Sequence, residues 1–261
     1  MDTPLTPLDF APRAPEPPRA PRRLSGGTAG RVWLLRHGAV DSSQGTYGNR
    51  DVPLSALGLQ QTEDLAASIV RAEELRVVAS SPLSRARALG EAIAQRAPDA
   101  RLIVDARLAE LDRGDWQGLP HAEYQERWRA EGAAWWRDPL HWRGHGGETE
   151  ADLADRGVRA VEDALLAAGG GTLVVTAHRQ LVRATVAALI GIPPGRSYAM
   201  ALPVATGVLL EATEGGACRL LRTACARPDA PQAAAPADGP PLDVPTSRED
   251  VPPAGSPPMS R

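Results

Sequence analysis

A three-layer α/β/α sandwich around a mostly parallel sheet is the fold class that this sequence predicts. Three observations carry the prediction. Short apolar runs alternate with longer stretches of helical period between residues 31 and 222. Proline is crowded at the ends: 17 of the 25 prolines fall in residues 1–30 and 226–261, which leaves one domain over residues 31–225 between two Pro-rich tails. Three of the apolar runs stop at residues that carry chemistry, and open α/β sheets bind ligands at the carboxyl ends of their strands.

The elements follow in order. Arg31–Arg36 is a short apolar run closed by Gly38 and reads as a buried strand. Ser55 is a cap for a helix reaching about Arg71, with Leu65 and Ile69 on its inner face. Val77–Ser80 is a second strand. Ser81 then reads as a cap with Pro82 in the first helical position, opening a helix to about Ala97. Leu102–Val104 is a third short strand. A Trp-rich helix is expected over 122–136, and another from the Thr149 cap to Ala168, stopped by Gly169–Gly171. Leu173–Thr176 is the fourth strand, followed by a helix over 180–190. Val208–Glu211 and Arg219–Arg222 form a closing hairpin about Gly215-Gly216. The tails, residues 1–30 and 226–261, hold too little apolar surface to offset the entropy of ordering and are expected to be disordered. Deleting residues 1–28 and 228–261 should then leave folding intact.

Composition excludes several classes. All 29 basic residues are Arg, so lysine Schiff-base and P-loop lysine chemistry are absent. A formal net charge of −3 offers no footprint for nucleic acid or for an acidic membrane. The apolar runs are too short or too interrupted to span a bilayer. Two cysteines, Cys218 and Cys225, form no disulfide framework or CxxC motif and read as inert core thiols. With no continuous apolar leader near the start, a reducing cytoplasm is the expected location.

The strand ends point to phosphate. The first ends in Arg36-His37-Gly38, the second runs into Ser80-Ser-Pro-Leu-Ser-Arg85, and the fourth ends in Thr176-Ala-His178. If these strands are parallel neighbours, two His and two Arg meet at one sheet edge. Arg offers a planar fork to phosphate oxygens, a helix opening at Ser81 adds N–H groups, and Gly38 allows close approach of the backbone.

With these motifs the sequence resembles the histidine phosphatase, or phosphoglycerate mutase-like, superfamily over residues 31–222. The ordered pieces are Leu34-Leu-Arg-His-Gly38, Tyr47-Gly48 with Asp51-Val-Pro-Leu-Ser55 and Gly58, Ser80–Arg85, Leu108-Ala-Glu-Leu-Asp112 with Gly114-Asp-Trp-Gln-Gly118, Gly147-Glu-Thr149, and Val174–His178. The resemblance implies a phosphomonoesterase acting through a phosphohistidine. It makes His37 the nucleophile, Arg36, Arg85 and a protonated His178 the phosphoryl-binding groups, and Glu110 the proton donor that later activates water. It places Tyr47, Gly48 and Asn49 in a substrate-contacting loop, and it needs no metal or cofactor. Two positions depart from the pattern. Arg179 follows His178 where many relatives have Gly, and Ala39 stands where Glu often follows Arg-His-Gly.

Within the superfamily the Asp41–Ser55 and Leu111–Trp116 stretches look most like the α-ribazole phosphatase branch, which implies a 5′-phosphate ester from cobalamin nucleotide-loop assembly. The alternatives are a phosphoglycerate-type mutase and a non-catalytic phospholigand-binding protein. The expected partner is a small-molecule phosphate ester, with no nucleic acid or membrane, and a homodimer stays open. Trp128, Trp135, Trp136 and Trp142 either pack their helix on the domain or line a cap over the substrate. His141 and His145 imitate an i, i+4 metal pair, but Gly144, Gly146 and Gly147 break the helix such a pair needs, and both are expected in an exposed loop.

Overall fold

The computed structural model describes residues 19–41 and 47–225. The tails expected at 1–18 and 226–261 lie outside the described residues. Six strands form one sheet: β1 (Gly30–Arg36), β2 (Leu75–Ser80), β3 (Arg101–Val104), β4 (Thr172–Ala177), β5 (Thr206–Ala212) and β6 (Cys218–Cys225), in the order β3-β2-β4-β1-β5-β6. β1, β2, β3 and β4 are mutually parallel, whereas β5 runs antiparallel to both β1 and β6. The sheet is therefore mixed rather than mostly parallel. For the edge pair the reason is local: β5 and β6 are joined by a tight turn through Gly215 and Gly216, and so short a link returns β6 only antiparallel to β5.

Both faces of the sheet are covered, so the central strands are buried on consecutive residues instead of every second one. Along β1, Val32 and Leu34 enter one core cluster with Leu153, Val161 and Leu181, while Trp33 and Leu35 enter another with Leu65, Ile69, Leu89 and Ile93. The first cluster lies under helices α4 (Glu150–Ala167) and α5 (Arg179–Ile190), the second under α1 (Ala56–Ala72) and α2 (Ser84–Arg96). This is the expected three-layer arrangement.

Helix starts follow their caps with one exception. The Ser55 hydroxyl accepts the Gly58 N–H at 3.1 Å, and Thr149 forms a capping box with Asp152. The exception is α2, which begins at Ser84 and not at Ser81–Pro82. The Ser81 hydroxyl accepts the Leu83 N–H at 3.2 Å within a turn, and its other contact is in the site described below.

The domain begins earlier than expected. Residues 19–29, assigned from composition to a disordered tail, are packed. Leu24 is 4% exposed, within the first core cluster, and its N–H donates to the Gly216 carbonyl at 2.9 Å. Arg22 pairs with Asp155 at 2.8 Å, and Ser25 and Gly26 donate to the Glu162 carboxylate. One leucine and a few specific polar contacts seat the segment, features that an averaged composition conceals.

Candidate active site

β4 lies between β1 and β2, in register with both: Arg36 faces Ala177, and Ser80 faces Thr176. The residues just past these strand ends, His37, Ser81 and His178, are thereby brought to one place. The His37 and His178 ring centroids are 5.1 Å apart, with the planes inclined at 62°. The two imidazoles expected to meet do so, and both are buried.

The tautomer of His37 follows from its contacts. Nδ1 lies 2.6 Å from the Gly38 carbonyl oxygen, which can only accept, so Nδ1 carries the hydrogen and Nε2 keeps its lone pair. Burial, with the charges of Arg36 and Arg85, holds this imidazole well below its usual pKa, against the opposing pull of the Gly38 carbonyl. The His37 carbonyl accepts the N–H of Ala205, the one non-glycine residue at positive φ (52°) among those described. Gly38 has a structural reason beyond ligand approach. A methyl group there would stand 2.3 Å from the carbonyl oxygen of Gly58, so the turn after β1 could not close on α1.

Two guanidinium groups flank the imidazoles. Arg36 is buried and donates to the Leu202 carbonyl at 2.5 Å. Arg85, in the first turn of α2, is 3% exposed and donates to the carbonyls of Arg50 (2.9 Å) and Gly48 (2.8 Å). The loop expected to contact substrate thus acts first on Arg85. Gly48 is at φ 55°, and the Asn49 N–H donates to Gln117 Oε1 at 2.9 Å. The Tyr47 hydroxyl donates to the Asp41 carbonyl at 2.5 Å.

His178 caps α5 and has no exposed surface. Its Nε2 is 2.8 Å from Ser81 Oγ, while Nδ1 has no hydrogen-bond partner among the described residues. Burial first, then the charges of Arg85, His37, Arg156 and Arg36, push its pKa well below the usual value. The protein surroundings alone therefore favour the neutral imidazole, and the protonated form expected of His178 calls for the charge of a phosphoryl group beside it.

Glu110 follows the 3-10 turn Ala106–Leu108. Its carboxylate accepts the N–H groups of Leu111 (2.9 Å), Gln180 (3.1 Å) and Leu181 (3.2 Å), which sets it at the start of α5 beside His178. Ser81 and Arg156 were missed by the sequence reading. In sequence Ser81 reads as a helix cap within the Ser80–Arg85 motif, with no sign of its contact to His178. Arg156 sits in mid-helix, where nothing nearby in the chain distinguishes it from a surface cation.

The Trp-rich segment, α3 (His121–Arg137), packs on the domain. Trp116, Tyr124, Trp128 and Trp135 form a separate buried cluster with Trp142 and Tyr198 against it. Trp128 and Trp142 stack at 5.2 Å. The Trp136 side chain lies outside the described residues. His145 is not in an exposed loop: it is 2% exposed, covered by Trp142 and Trp116 rings, and burial pushes its pKa down to about 4. His141 is exposed and pairs with Asp138. No group of three or more potential metal ligands occurs among the described residues. The half-buried Cys218 thiol is pushed up to about 11 by burial, as expected of an unreactive thiol; the Cys225 side chain is not among those described. No helix among the described residues is long and apolar enough to cross a membrane.

Residues 32–225 match the family model of the histidine phosphatase superfamily (branch 1). Among curated proteins, the chain is 36% identical over 173 residues to a glucosyl-3-phosphoglycerate phosphatase of Mycolicibacterium vanbaalenii, covering 62% of this chain and 75% of that one. Among solved structures, a mycobacterial glucosyl-3-phosphoglycerate phosphatase superposes with a TM-score of 0.64 at 31% identity, covering 73% of this chain and 96% of that one. A putative α-ribazole-5′-P phosphatase from Escherichia coli gives a TM-score of 0.63 at 22% identity, covering 74% and 95%, a likeness of fold alone.

Proposed function

The chain belongs to the histidine phosphatase superfamily, branch 1, and on that premise we propose that it hydrolyses a small-molecule phosphate monoester through a phosphohistidine at His37. The observation that carries this reading is the pair of buried imidazoles 5.1 Å apart, with the His37 Nδ1 hydrogen tied to a carbonyl and two buried guanidiniums alongside.

In the first step the His37 Nε2 lone pair attacks phosphorus. The ester P–O bond breaks, its electron pair leaves on the alcohol oxygen, and Glu110 gives that oxygen a proton. Arg36 and Arg85 neutralise the equatorial oxygens. His178 Nδ1, with no protein partner, turns to the phosphoryl group, whose negative charge supplies what the surroundings of His178 lack for a proton. In the second step Glu110, now a carboxylate, takes a proton from water as the water oxygen attacks phosphorus. The P–N bond breaks, its pair returns to Nε2, and inorganic phosphate departs.

For the substrate, the 36% identity favours a glycosylated phosphoglycerate over α-ribazole 5′-phosphate, whose named neighbour shares only the fold. Release of inorganic phosphate in EDTA, screened over both esters with p-nitrophenyl phosphate as reference, tests substrate and reaction together. His37→Ala should abolish turnover and acid-labile phosphate labelling; wild-type activity in that variant overturns the mechanism. Phosphoryl transfer to 3-phosphoglycerate without net phosphate release would select a mutase, and binding without turnover a phospholigand-binding protein.

A further inference from the structure

Outside the residues that would touch substrate, one charged side chain is committed to the backbone that carries Glu110. Arg156, in the second turn of α4, sends its guanidinium across to the loop at 107–110. One terminal nitrogen donates to the carbonyls of Arg107 (2.6 Å) and Ala109 (2.7 Å), and the other to the carbonyl of Glu110 itself (3.1 Å). The same guanidinium pairs with both carboxylate oxygens of Glu148, at 2.6 and 2.8 Å. Glu148 is in turn strapped to the far side of the loop: its N–H donates to the Asp112 carbonyl at 2.9 Å, and its carboxylate receives the Asp112 N–H at 3.4 Å. The pair is largely screened from water, with side chains 21% and 16% exposed.

We propose that Arg156, anchored by Glu148, is a positioning residue for Glu110, holding the proton-donating carboxyl at the leaving oxygen. This rests on the proton-donor reading of Glu110. Glu110 sits in a loop, and its side chain reaches the first turn of α5, so its location depends on where the 107–110 backbone is held. Leu108, 1% exposed in the first core cluster, and the Arg107–Asp163 pair at 2.7 Å hold the start of the loop, while the carbonyls of Ala109 and Glu110, nearest the carboxyl, are held by Arg156. A planar fork suits the task, because it reaches three carbonyls and a carboxylate at once. A lysine ammonium on a flexible stem has three hydrogens and could not span the same set. Arg156 does a second thing by its charge, which reaches His178 and opposes protonation there.

A staple that only stabilised the fold would lower the melting temperature and slow all substrates alike. A positioning residue acts through Glu110, so its loss should matter where the leaving group needs a proton. The test compares wild type, E110Q, R156Q, R156K, E148Q and the double variant E110Q/R156Q on β-glycerol phosphate, a poor leaving group, and on p-nitrophenyl phosphate, a good one. All are assayed below their own melting transitions. Read as kcat/KM, which covers attack on the ester but not the water step that both esters share, E110Q should lose about 10²–10⁴-fold on the poor ester and much less on the good one. R156Q should lose kcat/KM on the poor ester by on the order of 100-fold. Its loss on p-nitrophenyl phosphate should be about tenfold smaller or less. E148Q and R156K should show the same pattern more weakly, which keeps the test alive if R156Q folds poorly. R156Q should add nothing to E110Q in the double variant. Equal losses of kcat/KM on both esters in E110Q would overturn the proton-donor reading itself. A leaving-group-dependent E110Q beside R156Q, R156K and E148Q variants that slow both esters equally, or a double variant whose losses multiply, would overturn the positioning role alone.

Discussion

Three buried imidazoles, His37, His145 and His178, are each pushed toward the neutral form by burial. On unfolding each regains an ordinary pKa near 6.5, so below that value the unfolded chain binds more protons than the folded one. The stability these groups leave intact above pH 6.5 is therefore lost as pH falls. For His145 the loss runs from about 6.5 down to about 4 and amounts to about 3 kcal/mol. His145 Nδ1 accepts the Gly147 N–H at 3.0 Å, a contact that an asparagine carbonyl can reproduce. His145→Asn should therefore give a shallower decline of unfolding free energy between pH 6.5 and 4 than wild type, measured by urea titration; an unchanged slope would show that His145 is not the group responsible. By sequence alone both His141 and His145 are expected to be exposed. What separates them is cover: Trp142 and Trp116 close over His145, and their approach comes from the folded Trp cluster, not from the glycines nearby.

Elements were legible where a local signal was strong and uncontested. The Ser55 and Thr149 caps and the glycines after α4 placed their helices within a residue or two. The start of α2 was misplaced because Ser81 looks like a cap in isolation, while His178, 97 residues away, engages its hydroxyl. Helix contacts raise the same conflict at Gly157, in the middle of α4. By propensity, Gly157→Ala should favour the helix by about 1 kcal/mol. At the α4–α5 crossing, however, a methyl there would lie 2.1 Å from Thr185 Oγ1, in a fully buried contact. Overpacking wins: Gly157→Ala should destabilise by about 1–3 kcal/mol, read as a lower denaturation midpoint at constant m-value. A stabilised variant would mean that α4 and α5 separate freely.

Across the whole molecule, the domain includes more of the amino-terminal segment than composition implied. Leu24 fills the core beside the β5–β6 turn, so Leu24→Ala should cost about 2–5 kcal/mol. Deleting residues 1–28 should lower the melting temperature at least as far, since it also removes the Arg22–Asp155 pair and the donors to Glu162. An unchanged melt after that deletion would show that the segment contributes nothing. The closing hairpin was also expected, but its consequence for the sheet was not: it turns a parallel four-stranded core into a mixed sheet of six.

By itself the sequence determined the residue set and most of the elements. Arg36-His37-Gly38, Ser80–Arg85, Glu110 and His178 stand in motifs a few residues long, and helix and strand periods are set by neighbours within one or two turns. Only the tertiary structure decided that β4 inserts between β1 and β2, that His37, Ser81 and His178 therefore meet, that burial pushes the His178 pKa down, and that Arg156 grips the backbone of Glu110. The physical reason is that these outcomes depend on burial and on contacts between residues 46 to 97 positions apart or more, and both exist only once the layers have closed on one another.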